Sequence, residues 1–243
     1  MTKYSTDQLM SAWDPVETAP AQRRVGALLA VIEGAVSAET LGERNRRLLR
    51  LHRALVDAPL EAHIKCASCG VDNEFTVPTD SILGAPPANP ESHVSIRSRG
   101  RSLTFRLPLM GDIEATSGAS TPAEVRRAVL ERCRIAGDLG ALTEDAAEQL
   151  GREFEARDPA ATVVINISCA SCRTTIAASI DLASFVVADL DRVIESLYRD
   201  IDLIATAYGW DESTILALPA SRRRRYVDMI ASRPPRSKAP RAQ

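Results

Sequence analysis

The sequence predicts an α+β fold that is mainly helical, with a small β unit and an inserted segment of hairpin and helices. Three observations predict it. Apolar residues recur at helical spacing through both ends of the chain. Short extended runs are confined to the middle. The tetrapeptide Cys-Ala-Ser-Cys occurs twice, at 66–69 and 169–172, each time between two such runs.

The first third reads as helices. Ser5 and Gln8 have capping-box spacing ahead of Leu9 and Trp13, and Pro20 suits a first helical turn. Val25, Leu28, Leu29 and Ile32 then share one helical face, and a third helix is expected through Leu41, Leu48, Leu51 and Leu55. Its other faces carry Arg44, Arg46, Arg47, Arg50 and Arg53, expected to be solvated or acid-paired. Past Pro59 the texture changes. Leu60–Lys65 and Glu74–Val77 look extended around the first cysteine pair, and Val94–Ser98 and Leu103–Leu107 form a second hairpin turned by Arg99-Gly100-Arg101.

Thr121-Pro122-Ala123-Glu124 then starts a helix with cap, proline and glutamate in order. Val125, Val129 and Cys133 share its apolar stripe, which makes Cys133 a core thiol. Another helix is expected from Thr143 to Asp158-Pro159. Thr162–Ser168 and Thr174–Ile180 flank the second cysteine pair as strands. Val186, Leu190, Val193, Ile194, Leu197, Ile201 and Ile204 hold one face of a long helix that Gly209 ends. Asp211 caps a short helix, Pro219 opens a last one, and the proline-broken tail from Ser232 is expected to be disordered. The segments are thus 1–58 (N-terminal helices), 59–83 (first cysteine hairpin), 84–160 (insertion), 161–182 (second cysteine hairpin), 183–231 (C-terminal helices) and 232–243 (basic tail), with 1–231 expected to be one cooperative unit.

The formal charge of −2 gives no global attraction to nucleic acid or membrane. It hides an asymmetry, because the chain from Ser221 onward has eight basic residues and one acid. No stretch reaches the roughly 18 apolar residues of a membrane span, and the polar start has no signal-peptide core. The cytoplasm is therefore expected, where five cysteines point to metal or buried thiols before disulfides.

The two cysteine pairs have matching surroundings. Ile64-Lys65-Cys66 echoes Ile167-Ser168-Cys169, and each pair forms the tip of a hairpin. Such a C-x-x-C knuckle aims two sulfurs at one point. Two knuckles close a tetrahedron, so Cys66, Cys69, Cys169 and Cys172 are the expected ligands of one structural Zn²⁺ per chain. Four thiolates around Zn²⁺ leave a charge of −2, which Lys65 and Arg173 could offset. Because the pairs lie about a hundred residues apart, the metal would tie the two halves of the chain together. A dithiol redox pair would need a helix N-terminus after the motif, and neither pair has one. Metal-free buried thiols remain an alternative, and His63 is a possible substitute ligand.

A catalytic zinc keeps an open position, and four cysteines leave none. No P-loop, glycine-rich dinucleotide turn or H-E-x-x-H occurs, and only His52, His63 and His93 are present. The chain is expected not to be an enzyme.

Several strings carry a resemblance along nearly the whole length. They are Arg46-Arg47-Leu48-Leu49-Arg50-Leu51-His52-Arg53, the first knuckle through Gly70, Phe105-Arg106-Leu107-Pro108 with Asp112, Leu130-Glu131-Arg132-Cys133 and the second knuckle. The most specific is Ala205-Thr206-Ala207-Tyr208-Gly209-Trp210-Asp211-Glu212-Ser213-Thr214-Ile215-Leu216-Ala217-Leu218, leading into Arg222–Tyr226. In these features the chain resembles baseplate proteins of T-even-type contractile phages and of the related bacterial contractile injection systems. Its knuckles lack the proline often found inside such pairs, and the second lacks the following glycine.

The resemblance implies a part in building or forming a baseplate, with other baseplate or tail proteins as partners. Tyr208, Trp210, Arg222, Arg223, Arg225 and Tyr226 are the expected partner-binding residues, although the rings could instead pack against the long helix. The alternative function is a nucleic-acid-binding zinc protein that meets phosphates with Arg222–Arg225. The acidic body, and arginines that point around most of a helix, weigh against it.

Overall fold

The computed structural model describes residues 6–19, 21–34, 36, 38–56, 59–116 and 118–233. Ser5, Pro20 and the tail from Pro234 onward, on which some expectations above rest, lie outside the described residues.

Three helices open the chain: α1 (Thr6–Thr18), α2 (Ala21–Glu33) and α3 (Leu41–Leu55). They bury Leu9, Trp13 and Val16, then Val25, Leu28 and Leu29, then Leu48, Leu49 and Leu51. Thr40 caps α3 by accepting the Glu43 N–H. Of the arginines on α3, Arg46, Arg47, Arg50 and Arg53 are acid-paired and Arg50 and Arg53 are exposed, as expected, but Arg46 and Arg47 are buried. Arg46 is 1% exposed and donates to Glu43 and to the carbonyls of Ala85 and Pro86. Arg47 is buried between Glu33 and Glu39 at 2.9 and 2.8 Å. His52, also buried, meets Asp189 at 2.6 Å.

The first knuckle hairpin pairs β1 (Glu61–Lys65) with β2 (Asp72–Thr76), and α4 (Thr79–Gly84) follows. The inserted segment then begins. Its strands β3 (His93–Ser98) and β4 (Arg101–Arg106) are joined by Arg99 and Gly100, both at positive φ, the two-residue turn that suits a twisted hairpin. Next come α5 (Met110–Glu114), α6 (Pro122–Cys133), β5 (Arg134–Ala136), a short 3-10 helix (Leu139–Ala141) and α7 (Glu144–Arg157). The expected capping box at Thr121 and Glu124 is formed. β5 was not expected; it pairs with β4 directly after α6, making a β3-β4-β5 sheet. All three of its residues are exposed, so no alternating apolar pattern announces it.

The second knuckle hairpin pairs β6 (Val163–Ser168) with β7 (Thr175–Ile180). The long helix α8 (Leu182–Tyr208) ends at Gly209, whose φ of 69° is the left-handed cap expected of it. Asp211 caps α9 (Glu212–Leu216), and Pro219 precedes α10 (Ala220–Ala231).

Among the described residues two apolar cores result. The first gathers α1 to α3, both knuckle hairpins and α8, with Ala62, Ala178, Val186, Leu190 and Ile194 at its centre. The second lies inside the insertion: Val94, Ile96, Leu103, Phe105, Cys133, Ala146 and Leu150. The two are stitched where the insertion returns. Gly42 N–H donates to Asp158 Oδ2 at 2.9 Å, and the Asn45 amide donates to the Ala160 carbonyl at 2.8 Å. A Cβ on residue 42 would lie 1.8 Å from Asp158 Oδ1, so glycine is what permits this approach. Among the described residues, no helix is long and apolar enough to cross a membrane.

Candidate metal centre

Each knuckle is built by the backbone of its hairpin. In the first, the Cys66 N–H donates to the Val71 carbonyl at 2.9 Å and the Gly70 N–H to the Cys66 carbonyl at 2.8 Å. In the second, Cys169 N–H donates to Thr174 and Arg173 N–H to Cys169, at 2.9 and 3.1 Å. Gly70 and Arg173 occupy the same point of the turn, with φ of 76° and 63°. The glycine that the second knuckle lacks is thus replaced by an arginine held in the left-handed conformation.

The hairpins bring Cys66, Cys69, Cys169 and Cys172 together, with all four sulfurs within 4.8 Å of one another. Two contacts run between hairpins: Cys66 to Cys172 at 3.7 Å and Cys69 to Cys169 at 3.6 Å. A tetrahedral ion with metal–sulfur bonds near 2.3 Å sets sulfurs about 3.8 Å apart. The set therefore fits a four-thiolate metal centre, and it could hold a metal ion. Cys66 and Cys169, the first of each pair, are buried; Cys69 and Cys172 face solvent.

The electrostatics of the cluster are uneven. The backbone N–H groups of Cys172 and Ser171 bring the Cys169 thiol down to about 6. The Thr174 hydroxyl and N–H lower Cys172. For Cys69 the Val71 N–H favours the thiolate, but burial and the three facing sulfurs outweigh it and raise the thiol to about 11. Such closely spaced sulfurs titrate as a set, and a bound cation would favour the thiolate form of all of them. No hydrogen bond joins Lys65 or Arg173 to a sulfur among the described residues. His63 is exposed beside Glu74 at 3.6 Å and is not part of the cluster.

One residue of the site escaped the sequence. Asn73 is 5% exposed. Its carbonyl oxygen accepts the Ala170 N–H of the opposite knuckle at 2.9 Å, while its amide holds the Val71 carbonyl at 2.9 Å. It locks the two knuckles in register independently of any metal. An asparagine after a turn carries no signal of such a role, because its partner lies 97 residues away.

Cys133 stands apart, as expected. Burial pushes its thiol up to about 12, with Asp112 adding to the effect. Asp112 itself is a buried hub. Its carboxylate accepts two bonds from Arg106 at 2.6 and 2.9 Å, one from Arg132 at 3.2 Å and the Leu109 N–H at 3.0 Å. Burial alone would raise this carboxyl, but the Arg106 guanidinium and the other donors hold it at about 2.

The C-terminal residues form a separate corner. Tyr208 stacks on Trp210 at 5.2 Å, and both meet Tyr226 edge-on at 5.5 and 5.0 Å. All three rings are half-buried, and the Arg233 guanidinium lies over Tyr208 at 4.8 Å. Arg223 departs from the expected surface: it is 5% exposed and turned onto Asp200 of α8 at 3.4 Å. Four successive arginines span more than one helical turn, so one of them must face inward. Arg222, Arg224 and Arg225 stay exposed.

Comparison of the chain with family models, with curated proteins and with solved structures finds no match.

Proposed function

We propose that the four cysteines hold one structural Zn²⁺, and that the chain is a zinc-stabilised component or assembly factor of the baseplate of a contractile, phage-tail-like injection system, acting by protein–protein contact. The observation that carries the metal proposal is the closed four-sulfur set donated by two hairpins a hundred residues apart. Four thiolates saturate a tetrahedral ion and leave no position for substrate, which is the chemistry of a structural site.

The baseplate proposal is supported by the resembling strings. Arg46, Arg47 and His52, and likewise half-buried Arg106 with buried Asp112 and Cys133, are polar ties of the fold. Such ties demand particular residues in a way that apolar packing does not. The segment Tyr208–Leu218 builds the aromatic corner and α9, beside which α10 presents Arg222 and Arg225. That corner is the partner surface in this reading, and the cytoplasm is where assembly takes place.

Two experiments test it. Metal analysis of protein purified without strong chelators should find about one zinc per chain. Deletion of the gene should leave sheath and tube proteins made but baseplates incomplete by electron microscopy; intact particles would sink the baseplate reading. Exposure of Arg222, Arg224 and Arg225, none with an ion-pair partner among the described residues, keeps nucleic-acid binding as a second reading. Duplex-DNA affinity that falls steeply between two salt concentrations, alongside normal particles from an Arg222→Glu, Arg225→Glu variant, would favour it instead.

A further inference from the structure

Between α6, α7 and the start of α3 the surface opens into a groove of about 420 Å³. Its walls are apolar, with Leu107, Ile113, Val129, Leu150 and Phe154 among them. The second core explains why it is open. On α6 only Cys133 is fully buried, so the stripe Val125, Val129 and Leu130 is covered on one side only. Two helices with half-covered apolar faces on one groove have the form that accepts the apolar ridge of a third helix.

The charges on the groove decide what kind of helix fits. Arg126 is held by Glu144 through two bonds of 2.7 and 3.0 Å, so its charge is matched. At the other end stand Glu155 and Asp158. Glu155 is exposed and has no hydrogen bond or ion pair among the described residues. Asp158 is 5% exposed and turned onto Gly42, with one oxygen taking its N–H and the other buried against it, so Glu155 is the acid open to a partner. No cation of the described residues lies within ion-pair distance of either acid. Of the α7 residues that line the groove Glu155 alone is charged; elsewhere on the helix Glu148 and Glu153 pair with Arg152 and Arg157.

We infer that this groove docks an amphipathic helix of a partner protein, with the partner's apolar stripe against Val125, Val129 and Phe154 and a lysine or arginine at Glu155. An apolar helix with acidic flanks is repelled there, and this is the source of specificity. The inference deepens the reading of the chain as a protein that acts by contact and rests on that reading. Its test needs no particle, so its failure would leave the gene-deletion result standing.

The experiment titrates the full chain into a fluorescein-labelled synthetic helix of about 18 residues, with leucines at i, i+3, i+4 and i+7 and flanking lysines. A second probe carries glutamates in place of the lysines. The lysine probe should bind about tenfold tighter than the glutamate probe. Glu155→Lys, an exposed change that leaves packing alone, should weaken the lysine probe severalfold and improve the glutamate probe. Val129→Asp should abolish both, with metal content and helical circular dichroism as folding controls; where these change, Glu155→Lys alone decides. Equal binding of the two probes, no binding of the lysine probe, or indifference to Glu155→Lys would overturn the inference. Self-association of the chain that Glu155→Lys disrupts would overturn it too, by making a second copy the occupant.

Discussion

Arg173 sits in a conformation that only its knuckle justifies. An L-residue in the left-handed region costs about 1 kcal/mol or more, and glycine avoids most of this. Gly70→Ala should therefore lower stability by about 1 kcal/mol in urea unfolding, while Arg173→Gly should be neutral or stabilising. The opposite order would mean that the two turns are not equivalent. The cysteines separate in the same way. On the zinc proposal, Cys66→Ser opens the sulfur set and should lose the metal along with several kcal/mol of stability. Cys133→Ala removes one buried sulfur and should cost about 1 kcal/mol with metal content unchanged. Asp112 adds a pH dependence whose sign follows from its lowered carboxyl. The folded group titrates at about 2, against about 4 for an unfolded aspartate. Its contribution, about 2.5 kcal/mol, is fully present above pH 4 and is lost as pH falls towards 2. The gap in urea midpoint between the native chain and Asp112→Asn should narrow over that range, and a constant gap would show that the carboxylate charge is not what matters.

Secondary-structure elements differ in how openly the sequence declared them. The long helix was plain because its apolar stripe runs from Val186 to Ile204 and a glycine stops it. The knuckle hairpins were plain because identical tetrapeptides sit between matching strands. By contrast α4, α5 and β5 have three to six residues each, too few for a period to show. The burial of Arg46, Arg47 and Arg223 was illegible for another reason. Arginine reads as a surface residue until its carboxylate and carbonyl partners are known, and these come from distant segments. Those ties bear on any truncation. Removing the chain from Asp211 onward takes Ile215 and Leu216 out of the interior and unpairs Asp200, so it should destabilise by several kcal/mol. Reversing Arg222 and Arg225, both exposed, should leave stability in urea within about 0.5 kcal/mol of the native value.

At the scale of the molecule, the two cores need not share a fate. Both knuckle hairpins belong to the first core, whereas the insertion carries its own. Chelation should therefore deprotect β1, β2, β6 and β7 in hydrogen exchange and leave β3 and β4 slow. Uniform deprotection would show that the metal governs one cooperative unit spanning the insertion as well. The separation of the pairs along the chain also sets an order in time. A ribosome adds about 5–20 residues per second. Cys169 and Cys172 therefore reach the exit tunnel roughly 5–20 s after Cys66 and Cys69. Through that interval the nascent protein holds half a coordination shell, open to stray metals and oxidants, while the insertion completes its own sheet. On the zinc proposal, metal capture can begin only once the insertion has been made, with α8 to α10 still to come, so it does not nucleate the fold.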